Sequence, residues 1–530
     1  MLGQNKPQGA LVEGRGNGPW VQYPSDYLGV LKMSEFYQKP FQLKNQFLDD
    51  DVLSGYLKKY LPEKIYKEIT QELTNLGEWA ANEGDQLSLQ ADKDLPEHIP
   101  YSAWGERIDE VKTSSAWKSL IQKAQQEGIV ATGYDKKYAE HGRLVQMAKL
   151  YLFHPSSAFA SCPMAMTDGA AKILELYGKT RETQEALQKV TSCDPKTAWT
   201  SGQWMTERAG GSDVSRTSTM AKKRGDHYEL TGDKHFTSAV DAQMALALAY
   251  VDDVSADKLS LFFVQLRNKD QSYNGVQVNR LKDKLGTRAL PTAELTLKKC
   301  KAQLIGEVGR GVATVSSMLN ITRLYNSICS MGSARRCLTL MKEYSLVRDV
   351  FGKKLCDQIL YKKTQETLKQ EFKELFCLTF FVSSILGKVE HKKAGSEEEN
   401  LLRLLTPVVK IVTAKFAIKA ASECVETFGG AGYVEDVGVS RFLRDSHVFS
   451  IWEGATNVLS LDFLRAIEKT KGLSSLTKFV EDNSPDKTLN EQWKSKSREF
   501  EKASDKQALS RGLVFFTAKT FGRVLTEINP

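Results

Sequence analysis

Met205-Thr206-Glu207-Arg208-Ala209-Gly210-Gly211-Ser212-Asp213-Val214, followed shortly by Lys234-His235-Phe236-Thr237-Ser238, is the stretch around which the chain is organised. Paired glycines flanked by a hydroxyl and an acid let the backbone turn sharply and approach a bulky ligand closely. Tyr228 to Thr231 alternates like a strand and ends at Gly232-Asp233, which predicts a hairpin-like turn before the extended run resumes at Lys234. A Gly-rich loop beside a strand ending in Phe and two hydroxyls can hold a planar ring, with Phe236 packed on it. A Gly-Gly pair alone is most often only a turn, so the rest of the chain must decide.

Upstream, the pattern is helical from about 49 to 192. Val52-Leu53-x-x-Tyr56-Leu57-x-x-Tyr60-Leu61 repeats at three and four residues, and 65–81, 116–127, 136–153 and 165–177 read similarly. Residues 1–45 carry many Gly and Pro and little periodicity, which predicts an extended surface arm. Downstream, short apolar runs such as Met244 to Val251 and Leu259 to Val264 predict strands without intervening helices. From 311 the helical period returns over 311–345, 361–386, 398–428 and 451–469. Beyond Gly472 the chain is charged and weakly periodic until a last helix at 509–528. The expected architecture is α+β and multidomain. An N-terminal α-helical domain (46–199) precedes a middle antiparallel β-sandwich or barrel (200–306), a C-terminal four-helix bundle (307–470) and an additional helical segment (471–530).

Composition sets the class. At 530 residues, with 41% hydrophobic and 26% charged side chains, the chain has material for about two to four globular domains. Its net charge of +8 is spread out, with no basic run longer than Lys222-Lys223-Arg224. That suits a solvated surface or anionic ligands better than a nucleic-acid stripe. Eight cysteines form no Cys-x-x-Cys pair and read as reduced intracellular thiols, and seven scattered histidines have no zinc spacing, so no metal is expected. No apolar run suggests a membrane span, and the N-terminus is only faintly transit-peptide-like.

Three features of the last helical region carry chemistry. Arg348-Asp-Val-Phe351-Gly352-Lys353 is a helix end with a Gly stop and cations able to reach a phosphate. Phe428-Gly429-Gly430-Ala-Gly432-Tyr433 closes a long helix and follows no strand, which disfavours a dinucleotide Rossmann reading. In Ser450-Ile-Trp452-Glu453-Gly454-Ala455-Thr-Asn457 an acid lies between Trp and Gly beside an apolar residue, an environment that raises a carboxyl toward working pH and suits a general base.

In motif order over roughly 40–470 the chain resembles the acyl-CoA dehydrogenase family, and within it the AidB-like branch. The resemblance rests on Met205-Thr-Glu-x-x-Gly-Gly-Ser-Asp-Val, Leu281-Lys-Asp-Lys-Leu-Gly286-Thr-Arg288, Gly306-Glu-Val-Gly309-Arg-Gly311, Arg348-x-x-Phe351-Gly352, Phe428-Gly-Gly-x-Gly432-Tyr433 and Trp452-Glu-Gly. It implies an FAD flavoprotein oxidoreductase of fatty-acid and lipid metabolism that α,β-dehydrogenates a medium- to long-chain acyl-CoA. Glu453 would take the α-proton while hydride goes to flavin N5. Some relatives carry the base on the helix of Asn320-Ile-Thr-Arg323, but Thr322 stands there and leaves Glu453 unopposed, with Arg323 nearby. By the same resemblance Phe236 takes the usual Trp position on the flavin ring and Ser238 the hydroxyl facing N5, while Met205, Thr206 and Ser212 contact flavin or CoA. Arg348, with Phe351, belongs to the later FAD contacts; Arg348 would reach the FAD pyrophosphate of a neighbouring subunit in a homodimer or homotetramer, and Gly429, Gly430 and Asn457 would line the adenine side. Electron-transfer flavoprotein is the implied acceptor, and the implied compartment is mitochondrial for a eukaryotic chain or cytoplasmic for a bacterial one. Glu426 and Ala455 replace the family's usual Gln and Thr, as the AidB-like branch also allows. Two other roles stay open: a DNA-binding, protective flavoprotein, against which the missing basic cluster argues, and an FAD-retaining assembly subunit.

Overall fold

The computed structural model describes residues 38, 40–252, 258–470 and 472–529. It divides into Met1–Pro40 and Phe41–Pro530, and every element below belongs to the second unit. The arm expected over 1–45 lies outside the described residues except at 38 and 40–45.

The N-terminal helices are α1 (Asp51–Tyr60), α2 (Glu63–Ala81), α3 (Glu83–Lys93), α4 (Ser115–Gln126), α5 (Gly142–Phe153), α6 (Ser161–Tyr177) and α7 (Arg181–Val190). Side-chain caps start several of them: Asp50 accepts from the Leu53 amide, Ser114 from Trp117 and Thr180 from Thr183. Helix α5 is buried on all sides, so its Arg143 must be paired, and its guanidinium bonds to Asp168 at 2.8 Å and Glu390 at 2.6 Å. The region is not wholly helical: β1 (Glu97–Tyr101) and β2 (Arg107–Lys112) form an antiparallel hairpin that the 3.6-residue reading passed over.

The middle region comprises β3 (Ser201–Trp204), β4 (Met220–Arg224), β5 (His227–Ser238), β6 (Met244–Val251), β7 (Ser260–Gln265), β8 (Val276–Leu281) and β9 (Thr292–Ile305). The pairings close a ring β6–β4–β5–β9–β7–β6, with β3 and β8 added on β6 and β9. Most pairs are antiparallel, but β3–β6 and β4–β6 are parallel, a departure from the all-antiparallel expectation. The hairpin expected at Gly232-Asp233 is absent. Strand β5 runs straight through, and Gly232 instead lets the backbone pass Thr219, whose Cα would lie 2.7 Å from an added Cβ.

Strand β6 shows why the run Met244-Ala-Leu-Ala-Leu-Ala is apolar throughout. Ala245, Ala247 and Ala249 join the barrel core with Phe262 and Leu295, while Met244, Leu246 and Leu248 cluster with Ile173 and Leu174 of α6. Both faces are buried, so the small residues fill the barrel and the large ones dock it on the helices.

The last region contains α8 (Gly311–Thr314), α9 (Ser316–Val347), the small hairpin β10 (Asp349–Val350) and β11 (Lys353–Lys354), α10 (Ile359–Glu390), α11 (Ser396–Phe428), α12 (Gly430–Tyr433), α13 (Ser440–Phe449) and α14 (Thr456–Thr470). Helices α9, α10, α11 and α14 are the expected bundle. Beyond it the charged stretch is also helical, as α15 (Gly472–Asn483), α16 (Lys487–Lys502) and α17 (Lys506–Ile528). Leu489, Trp493 and Phe500 give α16 a thin buried stripe among charged residues, and Trp493 Nε1 donates to Thr477 Oγ1 at 2.9 Å.

Opposite substitutions on adjacent β6 residues test the two-faced packing. Leu246→Ala leaves a cavity beside the helices and costs about 2–5 kcal/mol. Ala247→Leu overfills the barrel and costs about 1–3 kcal/mol. Urea unfolding measures both, and a neutral result at either position contradicts burial of that face.

Candidate active site

The Gly-rich loop leaves β3 and is anchored by the acid within it. Glu207 is 3% exposed, and its carboxylate accepts from Lys234 Nζ at 2.7 Å, Thr219 Oγ1 at 2.5 Å, and the Ser218 amide and hydroxyl at 2.6 and 2.8 Å. Burial opposes this charge, but Lys234 and the donors prevail and draw the carboxyl down to about 2. With its base fixed, the loop from Arg208 to Asp213 projects into solvent. The His235 amide donates to Thr206 O at 2.9 Å, so Met205 and Thr206 run beside the end of β5.

A bulge between Lys234 and Thr237 in the β5–β9 register reorients that end. Phe236 sits there with φ +56° and 58% exposure, its ring 4.4 Å from Lys282 Nζ. Lys282 is held by Glu294 at 2.6 Å. A mere core role for Phe236 is therefore excluded. Two residues on, Ser238 Oγ lies 3.1 Å from Thr292 Oγ1, which in turn accepts from Lys284 Nζ at 3.0 Å. Burial draws the Lys284 ammonium down to about 8.

Glu453 occupies the turn between α13 and α14 in a left-handed conformation, φ +55°, and Gly454 follows at φ +108°. Three helices hold this turn. Thr322 Oγ1 of α9 donates to Glu453 Oε2 at 2.6 Å, and Arg323 Nε donates to Glu453 O at 3.4 Å while its Nη1 pairs with Asp462 of α14 at 2.8 Å. Lys410 Nζ of α11 donates to Gly454 O at 2.7 Å. Trp452 Nε1 bonds to Asn326 Oδ1, and its ring lies 5.9 Å from that of Phe159. Among the described residues Glu453 Oε1 accepts no hydrogen bond. Burial lifts this carboxyl above its ordinary value, with Thr322, Arg323 and Lys410 pulling the other way. A partly exposed but desolvated carboxyl, raised and with one free oxygen, is equipped to take a proton.

Cys162, at the start of α6, connects the two halves. Burial pushes its thiol up to about 12, and its interacting neighbours are Lys284, Glu453 and Ser238. Cys162 thus lies near both the Ser238 end of β5 and the Glu453 turn. A separate cleft of about 360 Å³, lined by Trp117, Lys118, Pro163 and Asp241 among others, does not include Glu453.

The remaining expected residues lie elsewhere. Arg348 caps the far end of α9, and Phe351 stands 98% exposed at the tip of the β10–β11 hairpin. At about 1.5 Å per residue, that end of α9 is roughly 38 Å from Thr322. Gly429 caps α11 with φ +61°, near the same end, because the preceding Phe428 stacks on Tyr344 of α9 at 4.1 Å. Neither Gly429 nor Gly430 has an atom within 4 Å of an added Cβ. Asn457 Oδ1 accepts from Arg511 of α17 at 2.8 Å. Ser212 lies on the exposed loop. Sequence reasoning passed over Cys162, Lys284 and Lys410. Only Lys410 left a signal, as one cation inside Pro407-Val-Val-Lys-Ile-Val412.

Three family descriptions match successive parts of the chain: an adaptive response protein AidB N-terminal domain over 38–195, an acyl-CoA dehydrogenase middle domain over 202–300, and an acyl-CoA dehydrogenase C-terminal domain over 309–467. Acyl-CoA dehydrogenase family member 11 of Caenorhabditis elegans is 43% identical over 446 residues, covering 82% of this chain and 72% of that one. The putative acyl-CoA dehydrogenase AidB of Escherichia coli is 30% identical over 402 residues, covering 74% and 72%. A crystal structure of Caenorhabditis elegans ACDH-11 in complex with C11-CoA superposes with a TM-score of 0.89 at 38% identity, covering 96% and 91%.

Two measurements check the site. Glu207→Ala costs roughly 3–5 kcal/mol at neutral pH, because it strands buried Lys234. The native carboxyl is depressed, so its contribution is full above the ordinary value near 4.5 and fades as pH falls toward about 2; the gap between parent and variant in denaturant unfolding should close over that window. Thr322→Val removes a donor to Glu453 Oε2 and raises that carboxyl further. The protonated C=O stretch in difference infrared spectra, assigned with Glu453→Gln, then persists to higher pH than in the parent.

Proposed function

This chain belongs to the acyl-CoA dehydrogenase family, and we propose that it is an FAD-dependent enzyme that α,β-dehydrogenates medium- to long-chain acyl-CoA thioesters with Glu453 as base. The observation that carries this reading is the Glu453 carboxyl itself: lifted by burial, held by Thr322 through one oxygen, and free at the other. Glu453 and the Ser238 end of β5 both act on the Cys162 thiol, which supports a common site for the turn and the β-domain edge.

The residues fit FAD. Phe236 offers a ring more than half exposed at a bulge, Thr206 and Ser238 supply hydroxyls beside it, and Gly210 has no atom within 4 Å of an added Cβ. FAD, when bound, supplies the hydride acceptor for the β-carbon. Glu453 removes the α-proton, and the substrate leaves as the 2-enoyl thioester. Burial favours the neutral acid that results, so the environment that raises the base also stabilises its product state. Thr322 fixes the carboxylate's orientation before the proton moves. Arg323 supports the turn through the Glu453 carbonyl and spends its charge on Asp462, so it acts on the loop more than on the substrate.

Arg348, Phe351, Gly429 and Gly430 are too far along α9 and α11 to share a ligand with the Glu453 turn of their own chain. Their exposure supports a homodimer or homotetramer in which they contact FAD held by a second copy. Electron-transfer flavoprotein is the proposed oxidant of the reduced cofactor. The proposed compartment is mitochondrial in a eukaryote and cytoplasmic in a bacterium. The medium-to-long chain range is supported by the C11-CoA complex of the ACDH-11 relative. Cations of the C-terminal helices such as Lys494, Lys496 and Arg523 are matched by Glu481, Glu499 and Glu374, which does not favour a DNA-binding stripe.

Anaerobic titration of the FAD-loaded protein with acyl-CoAs of four to twenty carbons tests the proposal. The expected result is bleaching of the flavin within one range of lengths and a loss of at least about 10²-fold in rate in Glu453→Gln, the scale of general-base catalysis. A bound flavin that no acyl-CoA reduces would leave the fold as a binding or assembly scaffold.

A further inference from the structure

Lys410 is 1% exposed in the middle of α11, flanked along the chain by Val408, Val409, Ile411 and Val412, all buried. An ammonium in such a place ordinarily has a carboxylate partner. Among the described residues Lys410 has none, and its hydrogen bond goes to the carbonyl of Gly454, at 2.7 Å. The charged groups that face it are Glu453 from the turn, Arg323 from α9 and Lys415 from its own helix. Arg323 is already matched by Asp462 of α14, which also binds Arg403 at 2.6 Å. Among the described residues Glu453 is thus the acid that acts on Lys410, and the two meet across the left-handed pair Glu453-Gly454. That pair has little room to shift: a Cβ on Gly454 would lie 2.8 Å from Leu459 Cδ2.

Resting on the reading of Glu453 as base, we propose that Lys410 is a positioning residue: a buried cation with no directly paired carboxylate that clamps the Gly454 carbonyl, holds the base turn in its left-handed form, and keeps the Glu453 carboxylate ionised for proton abstraction. The arrangement trades stability for function. Burial draws the ammonium down to about 7, with Glu453 opposing that fall and Arg323 and Lys415 adding to it. Between its ordinary value of 10.5 and about 7 the folded protein holds fewer protons than the unfolded chain. The folded state therefore loses stability as pH falls through that window, and the penalty is complete below about 7.

The experiment compares the FAD-loaded parent with Lys410→Met and Lys410→Arg, using thermal unfolding at pH 7, hydrogen exchange of peptides covering 450–456, and the pH profile of anaerobic flavin reduction. Lys410→Met is expected to melt at a higher temperature than the parent, yet exchange about tenfold faster across the turn. Its acid limb should move up by about one pH unit, the scale of losing an opposite charge at close range. Lys410→Arg, charged at all accessible pH, should restore turn protection and the acid limb. In the parent, protection of the turn should weaken as pH rises through about 7, and in Lys410→Arg it should not. A Lys410→Met protein that melts lower, with turn exchange and acid limb unchanged, overturns the proposal and makes Lys410 a scaffold residue. If no acyl-CoA bleaches the parent flavin, the reading of Glu453 as base fails separately, and turn exchange alone decides the clamp: unchanged exchange in Lys410→Met overturns it.

Discussion

Thr322 Oγ1 and Glu453 Oε2 meet at 2.6 Å across 131 residues of sequence, and the arrangement of the helical bundle is what makes that contact possible. The carboxylate sits on a turn that the backbone does not favour. A non-glycine residue at positive φ costs about 1–2 kcal/mol, and Glu453 is such a residue. Hydrogen bonds from Arg323 and Lys410 to the two turn carbonyls hold it there against that cost. Three helices, α9, α11 and α14, thus converge on two consecutive residues. The length of α9 then has a second consequence, because it carries Thr322 near one end and Arg348 at the other. One helix cannot bring both to the same bound molecule, which is the physical basis for proposing that two copies of the chain complete each other's sites.

The β-domain meets this turn with a different device. Glu207 and Lys234 form a dry ion pair, saturated by Ser218 and Thr219, that fixes the root of the Gly-rich loop and leaves its tip in solvent. A bulge one residue beyond Lys234 then turns Phe236 outward. Without the anchored acid, neither loop nor bulge would have a fixed relation to the strand they flank. Elsewhere, buried charge serves as a tether between helices, as in Arg143 with Asp168 and Glu390. Among the described residues Lys410 has no such paired carboxylate, and that difference is what separates it from the structural ion pairs.

The order of helical, β and helical regions was legible because the apolar period changes near 200 and again near 311. The long helices were legible from their length and apolar content, although α9 and α11 are buried on most sides through their middles. Where the stripe is thin the signal fails: α16 buries Leu489, Trp493 and Phe500 among many charges, and its helicity depends on α15 and α17 packing beside it. The unbroken course of β5 through Gly232 was missed because a local Gly-Asp signal looks the same whether the chain turns or merely passes a neighbour closely, and the β1–β2 hairpin was missed because it is a short strand pair set between helices. The meeting of Glu453 with Thr322 was foreshadowed only by family motifs. Cys162, Lys284 and Lys410 were not, because their significance lies in tertiary contacts, such as that of Lys410 with the Gly454 carbonyl on a separate element, and residue type alone does not disclose those contacts.

Position-specific deuteration of the acyl chain tests the central claim most directly, by asking whether an α-proton and a β-hydride leave together. The FAD-loaded protein would be mixed anaerobically with acyl-CoA dideuterated at the α-carbon, at the β-carbon or at both, and flavin reduction followed in a single turnover. The account predicts that each label slows reduction and that the doubly labelled substrate is slowest. Reduction that is indifferent to the α-label would contradict it, because proton removal by Glu453 would then play no part in the step that reduces the flavin.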